Sequence, residues 1–333
     1  MSPRVRFRKP HKCLLRSFPA FLFFAWFLIV HPVFAAREIT RRRVAPGCVF
    51  VTLQDLELEL ALYALSVDLH MPSLSLRPAL TKGFPSKPES VLSMARRLDR
   101  PGYRVVGGVN GDYFSAGSPM GLYADSGNLV KSGRGWSALA VVEGQRLRIE
   151  RLRARLALRL GGGDPLALTG LNVSLGSRSL VMYAGGSSRT LRAPAGSRIL
   201  MLAPSVDSLP VFGRIGLGIG ALGALDLPVP LPDETWALAF GKDAAGNASV
   251  FSSGLTCELE VGLHPAVPDV RHVVSGGPRL LRSGRITVER ELEGQREGFD
   301  TERHPRTAAG FSRDGRFLVL MVVDGRQPGY SRG

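Results

Sequence analysis

Short apolar runs separated by turn signals are the feature that most constrains this chain of 333 residues. Glycine-containing turn sequences recur between these runs, at Asp125-Ser126-Gly127-Asn128, Glu143-Gly144, Ser283-Gly284 and Asp314-Gly315. Such sequences predict β-hairpins, because glycine adopts the backbone conformations that tight turns require. The chain also contains 39 Gly and 23 Pro, which disfavour helix interiors. The pattern predicts an α+β fold in which a strand-dominated mixed sheet domain carries few helices.

One segment has a clear helical period. Pro88–Leu98 places apolar residues at helical spacing and is followed by Pro101, so it is predicted to be a helix. Leu58–Leu69 and Tyr103–Val109 are predicted strands. Phe317–Val323 is apolar throughout, which is typical of a strand buried on both faces.

The first 36 residues have the layout of a secretory signal peptide. Six basic residues precede an apolar run from Phe18 to Val30, and small residues follow at Ala35 and Ala36. The alternative is an uncleaved N-terminal anchor, because the basic flank is long. Both interpretations place the rest of the chain outside the cytoplasm. A cleaved product is expected to be secreted or periplasmic, with no stable membrane span. We divide the sequence into a signal peptide at 1–36, a lead-in at 37–57 and one domain at 58–333.

The charge distribution argues against a nucleic-acid partner. The net charge is +15, and removal of residues 1–36, which hold six basic and no acidic residues, leaves about +9. The remaining basic residues are nearly all Arg and are scattered among acids, whereas a nucleic-acid binder usually has a basic stripe or a recognition motif. We therefore expect no nucleic acid among the partners.

Two cysteines remain after the signal peptide, Cys48 and Cys257. They form either a disulfide, which export permits, or two buried thiols. Because no local cluster of Cys and His exists, we expect no metal site and no cofactor. A divalent cation shared by Asp112 and Asp324 is compatible with the sequence but is not demanded by any ligand spacing.

Two glycine-containing segments place polar groups after apolar runs. In Val106–Phe114 (VGGVNGDYF), Asn110 and Asp112 present oxygen acceptors on either side of a glycine, although such a sequence is also an ordinary turn. The stretch VVSGGPRLL holds Gly276 and Gly277. It is either a bulge or a loop whose backbone N–H groups face an anion or hydroxyl groups.

A third segment, HPRTAAGFSRDGRFLVLMVVDGR, joins charged groups to the apolar run Phe317–Val323. Arg306 can bind a phosphate or carboxylate through two hydrogen bonds, and Thr307 adds a hydroxyl group. Asp324 can act as an acid, a base or a nucleophile, with Arg326 beside it to favour the ionised form. An Arg–Asp pair at the end of a sheet is also a common structural feature.

The order of these segments resembles the phosphodiester glycosidase family. VNGDYF is followed by a G-x-P-x-G-L stretch at Gly117–Leu122, then by SGGPRLL, and finally by HPRTAAGF and VVDGR. The resemblance extends from about Leu58 to the end of the sequence. It implies an exported hydrolase that cleaves the glycosidic bond of a sugar-1-phosphodiester in a surface glycan or exopolysaccharide. The implied partner is a carbohydrate or sugar-phosphate substrate.

The resemblance also implies roles for the candidate residues. Asp112 and Asp324 are the catalytic candidates, because carboxylates stabilise the cationic sugar formed at the anomeric carbon. Arg306 is the candidate phosphate clamp. The substrate-binding set is Asn110, Gly276, Gly277, Arg306, Thr307 and Arg326.

The family pattern continues beyond Ser331-Arg332-Gly333 with a helix and a further strand that ends in a glycine-rich motif. We therefore expect the C-terminal part of the domain to be missing from this sequence, and the activity to suffer because that part contributes to the core and the site. The alternative function is a non-catalytic carbohydrate-binding or envelope polysaccharide-assembly protein with the same fold.

Overall fold

The computed structural model describes residues 37–84, 87–186, 189–225 and 228–333, so the predicted signal peptide lies outside the described residues. In those residues the strands are β1 (Glu38–Ala45), β2 (Cys48–Asp55), β3 (Leu60–Asp68), β4 (Phe114–Ser115), β5 (Ser118–Pro119), β6 (Tyr123–Asp125), β7 (Asn128–Lys131), β8 (Ser137–Val142), β9 (Arg146–Arg151), β10 (Arg153–Leu160), β11 (Leu166–Ala167), β12 (Gly170–Leu171), β13 (Leu180–Tyr183), β14 (Arg189–Leu191), β15 (Arg198–Pro204), β16 (Gly213–Ala224), β17 (Val229–Leu231), β18 (Trp236–Phe240), β19 (Thr256–His264), β20 (Val270–Ser275), β21 (Leu281–Arg282), β22 (Arg285–Ile286), β23 (Arg306–Phe311) and β24 (Phe317–Val323). The helices are α1 (Val91–Leu98) and two 3₁₀ segments, Glu143–Gln145 and Lys242–Val250.

Three larger sheets organise these strands. The terminal sheet has the order β1-β2-β3-β24-β23 and is antiparallel throughout. The central sheet has the order β11-β10-β19-β16-β15-β18-β13-β12, in which β12 and β13 run parallel and the other neighbours antiparallel. The site sheet has the order β7-β6-β20-β8-β9. This architecture confirms the strand-dominated fold with a mixed sheet, and the segment 37–57 supplies β1 and β2 of the terminal sheet.

Local sequence signals account for the hairpins and the helix. The four predicted turns join β6 to β7, β8 to β9, β21 to β22 and β23 to β24, and each pair is antiparallel. The predicted helix is confirmed, although it begins at Val91 rather than at Pro88. Ser90 is the N-cap in an extended conformation, and its hydroxyl oxygen accepts a hydrogen bond of 3.2 Å from the Ser93 amide.

Two predictions about strands are wrong. Tyr103–Val109 is not a strand, because beyond the isolated bridge of Tyr103 to Arg100 the described residues offer it no partner strand. Phe317–Val323 is the predicted strand but is not buried on both faces. Only Leu318 in it is buried, and Val319 is 38% exposed, because this part of the terminal sheet borders an open groove.

The main core lies between the central sheet and the site sheet. It includes Ala124, Ala140, Leu158, Leu200, Leu238, Leu259 and Val273. The opposite face of the central sheet packs under the β14–β17 pair in a second cluster that includes Val181, Leu191, Ile199, Leu231 and Ala239. The site sheet therefore has one face in the core, while residues of its other face line the groove.

Cys48 and Cys257 are buried free thiols in different sheets, the terminal and the central sheet. Burial raises the pKa of both thiols. In the described part of the chain, no helix combines the length and the apolar character needed to cross a membrane.

Candidate functional site

An open groove with a volume of ≈ 2640 Å³ runs past the ends of the predicted site segments. Its walls are formed by α1, by the outward face of the site sheet and by parts of β23 and β24. Pockets that hold one small ligand usually measure about 300–1,000 Å³, so the groove has room for an extended ligand.

The groove brings together most of the residues predicted from the sequence. Those that line it are Asn110, Asp112, Gly276, Gly277, Arg306 and Thr307. They come from three segments that are far apart in the sequence, and they meet beside the end of β20 and the start of β23. Asp324 and Arg326 do not line the groove.

Asp112 places a partly buried carboxyl group at the groove. Its Oδ2 accepts a short hydrogen bond of 2.5 Å from the amide of Gly121. Its Oδ1 is buried and has no hydrogen-bond partner in the described residues. Burial raises the pKa of Asp112 to about 6, because the charged form loses solvation, while the amide of Gly121 acts in the opposite direction. A carboxyl group in this state can give or take a proton near neutral pH.

The position of Asp112 depends on glycine at position 121. A Cβ atom on Gly121 would lie 2.3 Å from the Cβ of Ser275 and 2.9 Å from Asp112 Oδ2. Ser275 in turn accepts a hydrogen bond of 2.9 Å from the amide of Leu122 through its hydroxyl oxygen. Only a residue without a side chain allows the backbone at 121 to approach both groups.

The two glycines at 276 and 277 form a constrained loop after β20. The amide of Gly276 donates to the carbonyl of Ser137 at 3.0 Å, and no atom lies within 4 Å of a Cβ built on Gly276, so this side of the loop is open. Gly277 has a φ of 95°, and its carbonyl accepts a hydrogen bond of 3.0 Å from the hydroxyl of Tyr113. Tyr113 therefore connects the segment of Asp112 to the glycine loop.

Glu293 holds the other side of the glycine loop, and nothing in its sequence neighbourhood marks it out. It is 6% exposed. Its carboxylate accepts hydrogen bonds from the Ser137 hydroxyl at 2.6 Å, the Ser137 amide at 2.8 Å and the Arg279 amide at 2.8 Å. Its own carbonyl accepts from Trp136 Nε1 at 3.0 Å. A Cβ on Gly277 would lie 2.3 Å from Glu293 Oε2, so the carboxylate fills the space that a side chain at 277 would need.

An aromatic cluster separates this loop from Arg306. The ring of Tyr113 makes edge contacts with Trp136 at 5.5 Å and with Phe299 at 6.0 Å between ring centroids. The guanidinium of Arg306 lies 4.4 Å from the centroid of Phe299. Its Nη2 donates to the carbonyls of Phe299 at 2.5 Å and Glu302 at 3.1 Å. Since a guanidinium carries five donor hydrogens, Arg306 keeps donors for a ligand.

Asp324 and Arg326 occupy a different place, at the end of β24. Asp324 Oδ1 accepts from the amide of Gly325 at 2.9 Å, and Oδ2 accepts from Gln327 Nε2 at 3.1 Å. In the part of the chain that the structure describes, no ion pair joins Asp324 to Arg326. The catalytic role of Asp324 stays a prediction.

Lys131 is a further charged group near Asp112 that sequence reasoning missed. Its Nζ donates a hydrogen bond of 2.7 Å to the hydroxyl of Ser118, and burial lowers its pKa while the charge of Asp112 acts to raise it. No sequence signal marks Lys131, because its proximity to Asp112 arises only in the folded chain. Among the described residues, no group of three or more His, Cys, Asp or Glu side chains could hold a metal ion.

The C-terminal third of the chain matches a known enzyme family. The sequence model of the phosphodiester glycosidase family matches residues 231–333, which confirms the resemblance found in the motifs. The matched region contains the glycine loop, Glu293, Arg306 and Asp324, whereas Asp112 lies before it.

Two solved structures share the fold. A hypothetical protein from Synechocystis superposes with a TM-score of 0.71 at 18% identity, over 90% of this chain and 54% of that one. A candidate exported protein from Burkholderia pseudomallei K96243 superposes with a TM-score of 0.62 at 22% identity, over 82% of this chain and 63% of that one. The chain thus spans between about half and two thirds of the length of these two structures.

Proposed function

We propose that the protein is an exported hydrolase that cleaves the glycosidic bond of a sugar-1-phosphodiester in a surface glycan or exopolysaccharide. One observation carries this proposal: the carboxyl group of Asp112 and the guanidinium of Arg306 line one groove, and both lie close enough to Tyr113 to act on its pKa. This pairing suits a substrate that develops positive charge on a sugar and carries negative charge on a phosphate. The match of residues 231–333 to the phosphodiester glycosidase family supports the same reaction class.

Asp112 acts on the sugar in this proposal. Phosphate is a good leaving group, so the main need is to stabilise the cationic anomeric carbon, which an ionised carboxylate does. The bond from the anomeric carbon to the phosphate oxygen breaks, and the phosphomonoester leaves with the bonding electrons. Water adds its hydroxyl group to the anomeric carbon and gives up a proton to solution. Because the pKa of Asp112 is about 6, activity is expected to rise as the pH increases through that value.

Arg306 acts on the phosphate. Its contacts to Phe299 and Glu302 fix the guanidinium at the groove, so little side-chain freedom is lost when it binds an anion. Gly276, whose surroundings are open, and Asn110 would shape the pocket beside the sugar. Thr307, next in β23, also lines the groove.

The test compares hydrolysis of methyl-phosphodiesters of N-acetylglucosamine and glucose with hydrolysis of nitrophenyl glycosides of the same sugars. Arg306→Ala should lower kcat/KM on the phosphodiesters by about 100-fold, as expected for a charged contact, and should have little effect on phosphate-free glycosides. Asp112→Asn should lower kcat/KM on the phosphodiesters and on the phosphate-free glycosides. Equal losses for Arg306→Ala on both substrate classes would contradict its assignment to the phosphate.

Asp324 and Arg326 provide matched comparisons outside the groove, because the sequence predicts a role for each. Asp324→Asn and Arg326→Ala make the same chemical changes as the two site variants but at the end of β24. If Asp324→Asn abolishes hydrolysis while the protein stays folded, the second catalytic carboxylate predicted from the sequence is supported. If it leaves hydrolysis intact, Asp112 is the carboxylate of the reaction.

A non-catalytic carbohydrate-binding protein is the second candidate function. It is favoured by the separation of Asp324 from the groove, since glycosidases commonly use two carboxylates that flank the bond. Binding of sugar phosphates with no hydrolysis of any phosphodiester in the panel would select this function.

Export is the remaining part of the proposal. Residues 1–36 would be removed after Ala36, and the intact mass of protein recovered from the periplasm or the medium would reveal this. Retention of the full-length mass in the membrane fraction would select the uncleaved anchor.

A further inference from the structure

Phe114 is an exposed aromatic residue at the groove, two positions after Asp112. Phe114 is 63% exposed, whereas Tyr113 beside it is 37% exposed. It lines the groove together with Asp112 and Tyr113. In the described ranges, the Phe114 ring has no aromatic partner, while Tyr113 packs against Trp136 and Phe299.

The backbone that carries Phe114 is well fixed. Phe114 pairs with Pro119 across the β4–β5 hairpin, and the amide of Met120 donates to the carbonyl of Tyr113 at 2.8 Å. Lys131 holds the second strand through its hydrogen bond of 2.7 Å to Ser118. A Phe side chain has only two rotatable bonds, so a ring on such a hairpin is a preorganised surface.

We propose that Phe114 is a stacking platform for the sugar ring. This inference rests on the proposed function, because it takes the ligand of the groove to be a sugar 1-phosphate group. A pyranose has apolar C–H faces that pack on an aromatic ring, whose π face also attracts positive charge. The anionic end of the same ligand would lie toward Arg306, which lines the groove and carries donors for a phosphate.

The proposal separates the contributions of the two ends of the ligand. Removal of the Phe114 ring should weaken binding of a sugar 1-phosphate and leave binding of inorganic phosphate unchanged. A Trp at this position should restore binding, because it keeps the aromatic face. A Leu should not, because it keeps apolar area without a π face. These differences distinguish stacking from a general apolar contact.

The experiment measures dissociation constants by calorimetry for N-acetylglucosamine 1-phosphate, glucose 1-phosphate and inorganic phosphate, with the full chain and its variants. We expect Phe114→Ala and Phe114→Leu to weaken sugar phosphate binding roughly tenfold, and Phe114→Trp to bind within a factor of about two of the wild type. Phe212→Ala serves as the matched control, since Phe212 is 38% exposed and lies outside the groove lining.

The proposal is overturned if Phe114→Ala binds sugar phosphates as the wild type does, if inorganic phosphate binding falls equally, or if the wild type binds neither sugar phosphate. Loss of sugar binding in Phe114→Ala without any phosphodiester hydrolysis by the wild type would uphold the platform while rejecting the hydrolase. Conversely, hydrolysis that depends on Asp112 and Arg306, with a KM that Phe114→Ala leaves unchanged, would support the hydrolase and reject the stacking platform.

Discussion

The hydroxyl of Tyr113 donates a hydrogen bond of 3.0 Å to the carbonyl of Gly277, across a separation of 164 residues in the sequence. This bond connects the segment that holds Asp112 to the glycine loop after β20. Burial is the main cause that raises the pKa of Tyr113, so the hydroxyl keeps its proton as the donor. This phenol group is therefore one of the contacts that fix the relative position of the two segments, beside the packing of Gly121 against Ser275 and Asp112.

Removal of that hydroxyl should loosen the site at a modest cost to the fold. We expect Tyr113→Phe to lower the free energy of unfolding by about 1 kcal/mol, the usual value of one hydrogen bond, and to lower the activity or sugar phosphate affinity of the groove. Urea denaturation and ligand calorimetry measure the two effects. Tyr330→Phe is the control, because its hydroxyl bonds to Tyr63 at 2.6 Å away from the groove. It should cost similar stability and leave the function of the groove unchanged.

Glu293 should matter far more to stability than its unremarkable sequence context suggests. Glu293→Ala would leave the Ser137 amide, the Ser137 hydroxyl and the Arg279 amide without their acceptor. Buried donors that lose their partners are costly, so we expect a loss of about 3 kcal/mol or more. Glu293→Gln keeps acceptor capacity at one atom and should lose less. Glu297→Gln, on the exposed surface of the same segment, should change the unfolding free energy by less than about 0.5 kcal/mol. Equal small losses in all three variants would contradict the role of Glu293.

The hairpins and the helix were predictable because their signals are local. A turn sequence such as Asp314-Gly315 specifies its conformation within four residues, and Ser90 caps α1 through a residue three positions away. Tyr103–Val109 failed because a strand needs a partner, which its own sequence does not reveal. The exposure of Val319 was missed for a related reason: apolar character indicates which residues favour burial but not whether another element covers them.

The site was predictable where glycines beside polar groups, or a charged residue at the start of a strand such as Arg306, marked it. The segments around Asp112 and Gly276 are recognisable in the sequence because glycines stand beside polar groups, and both segments line the groove in the structure. Glu293 and Lys131 reach this region through tertiary packing, so no periodicity or motif distinguishes them. The order of the motifs along the chain also does not show whether the residues at the end of a given strand face the groove. Asp324 was therefore grouped with Asp112, although it lies outside the groove lining.

Gly277 should tolerate no side chain. Its φ of 95° disfavours other residues, and a Cβ would lie 2.3 Å from Glu293 Oε2. Gly144→Ala is a control for the backbone cost alone, since Gly144 has a φ of 73° and no atom within 4 Å of an added Cβ. We expect Gly277→Ala to lower the free energy of unfolding by about 2 kcal/mol more than Gly144→Ala does, because the clash adds to the backbone strain. Thermal unfolding of both variants measures the difference, and similar values would show that the loop shifts freely to admit a methyl group.

The pKa of Asp112 predicts a pH dependence of stability with a defined sign. Burial raises this pKa from 3.8 to about 6 in the folded protein. Well below pH 3.8 the carboxyl is protonated in both the folded and the unfolded chain, so its pKa difference has no effect on stability. As the pH rises from 4 to 6, the unfolded chain releases the proton first, and the free energy of unfolding falls. Well above pH 6, where the carboxyl is ionised in both states, the destabilisation is complete, at about 3 kcal/mol for a shift of this size.

Asp112→Asn should therefore gain stability relative to the wild type by up to about 3 kcal/mol between pH 3.5 and pH 7. Urea denaturation at half-unit intervals of pH measures this difference. Glu89→Gln is a control of opposite sign, because hydrogen bonding to Arg97 lowers the pKa of Glu89 to about 2. The Glu89 carboxylate stabilises the fold above pH 4.5, and this contribution is lost as the pH falls toward 2. Glu89→Gln should therefore be less stable than the wild type above pH 4.5, and the difference should shrink as the pH falls toward 2. A stability difference between Asp112→Asn and the wild type that stays flat from pH 3.5 to pH 7 would show that the carboxyl of Asp112 is solvated in the folded protein.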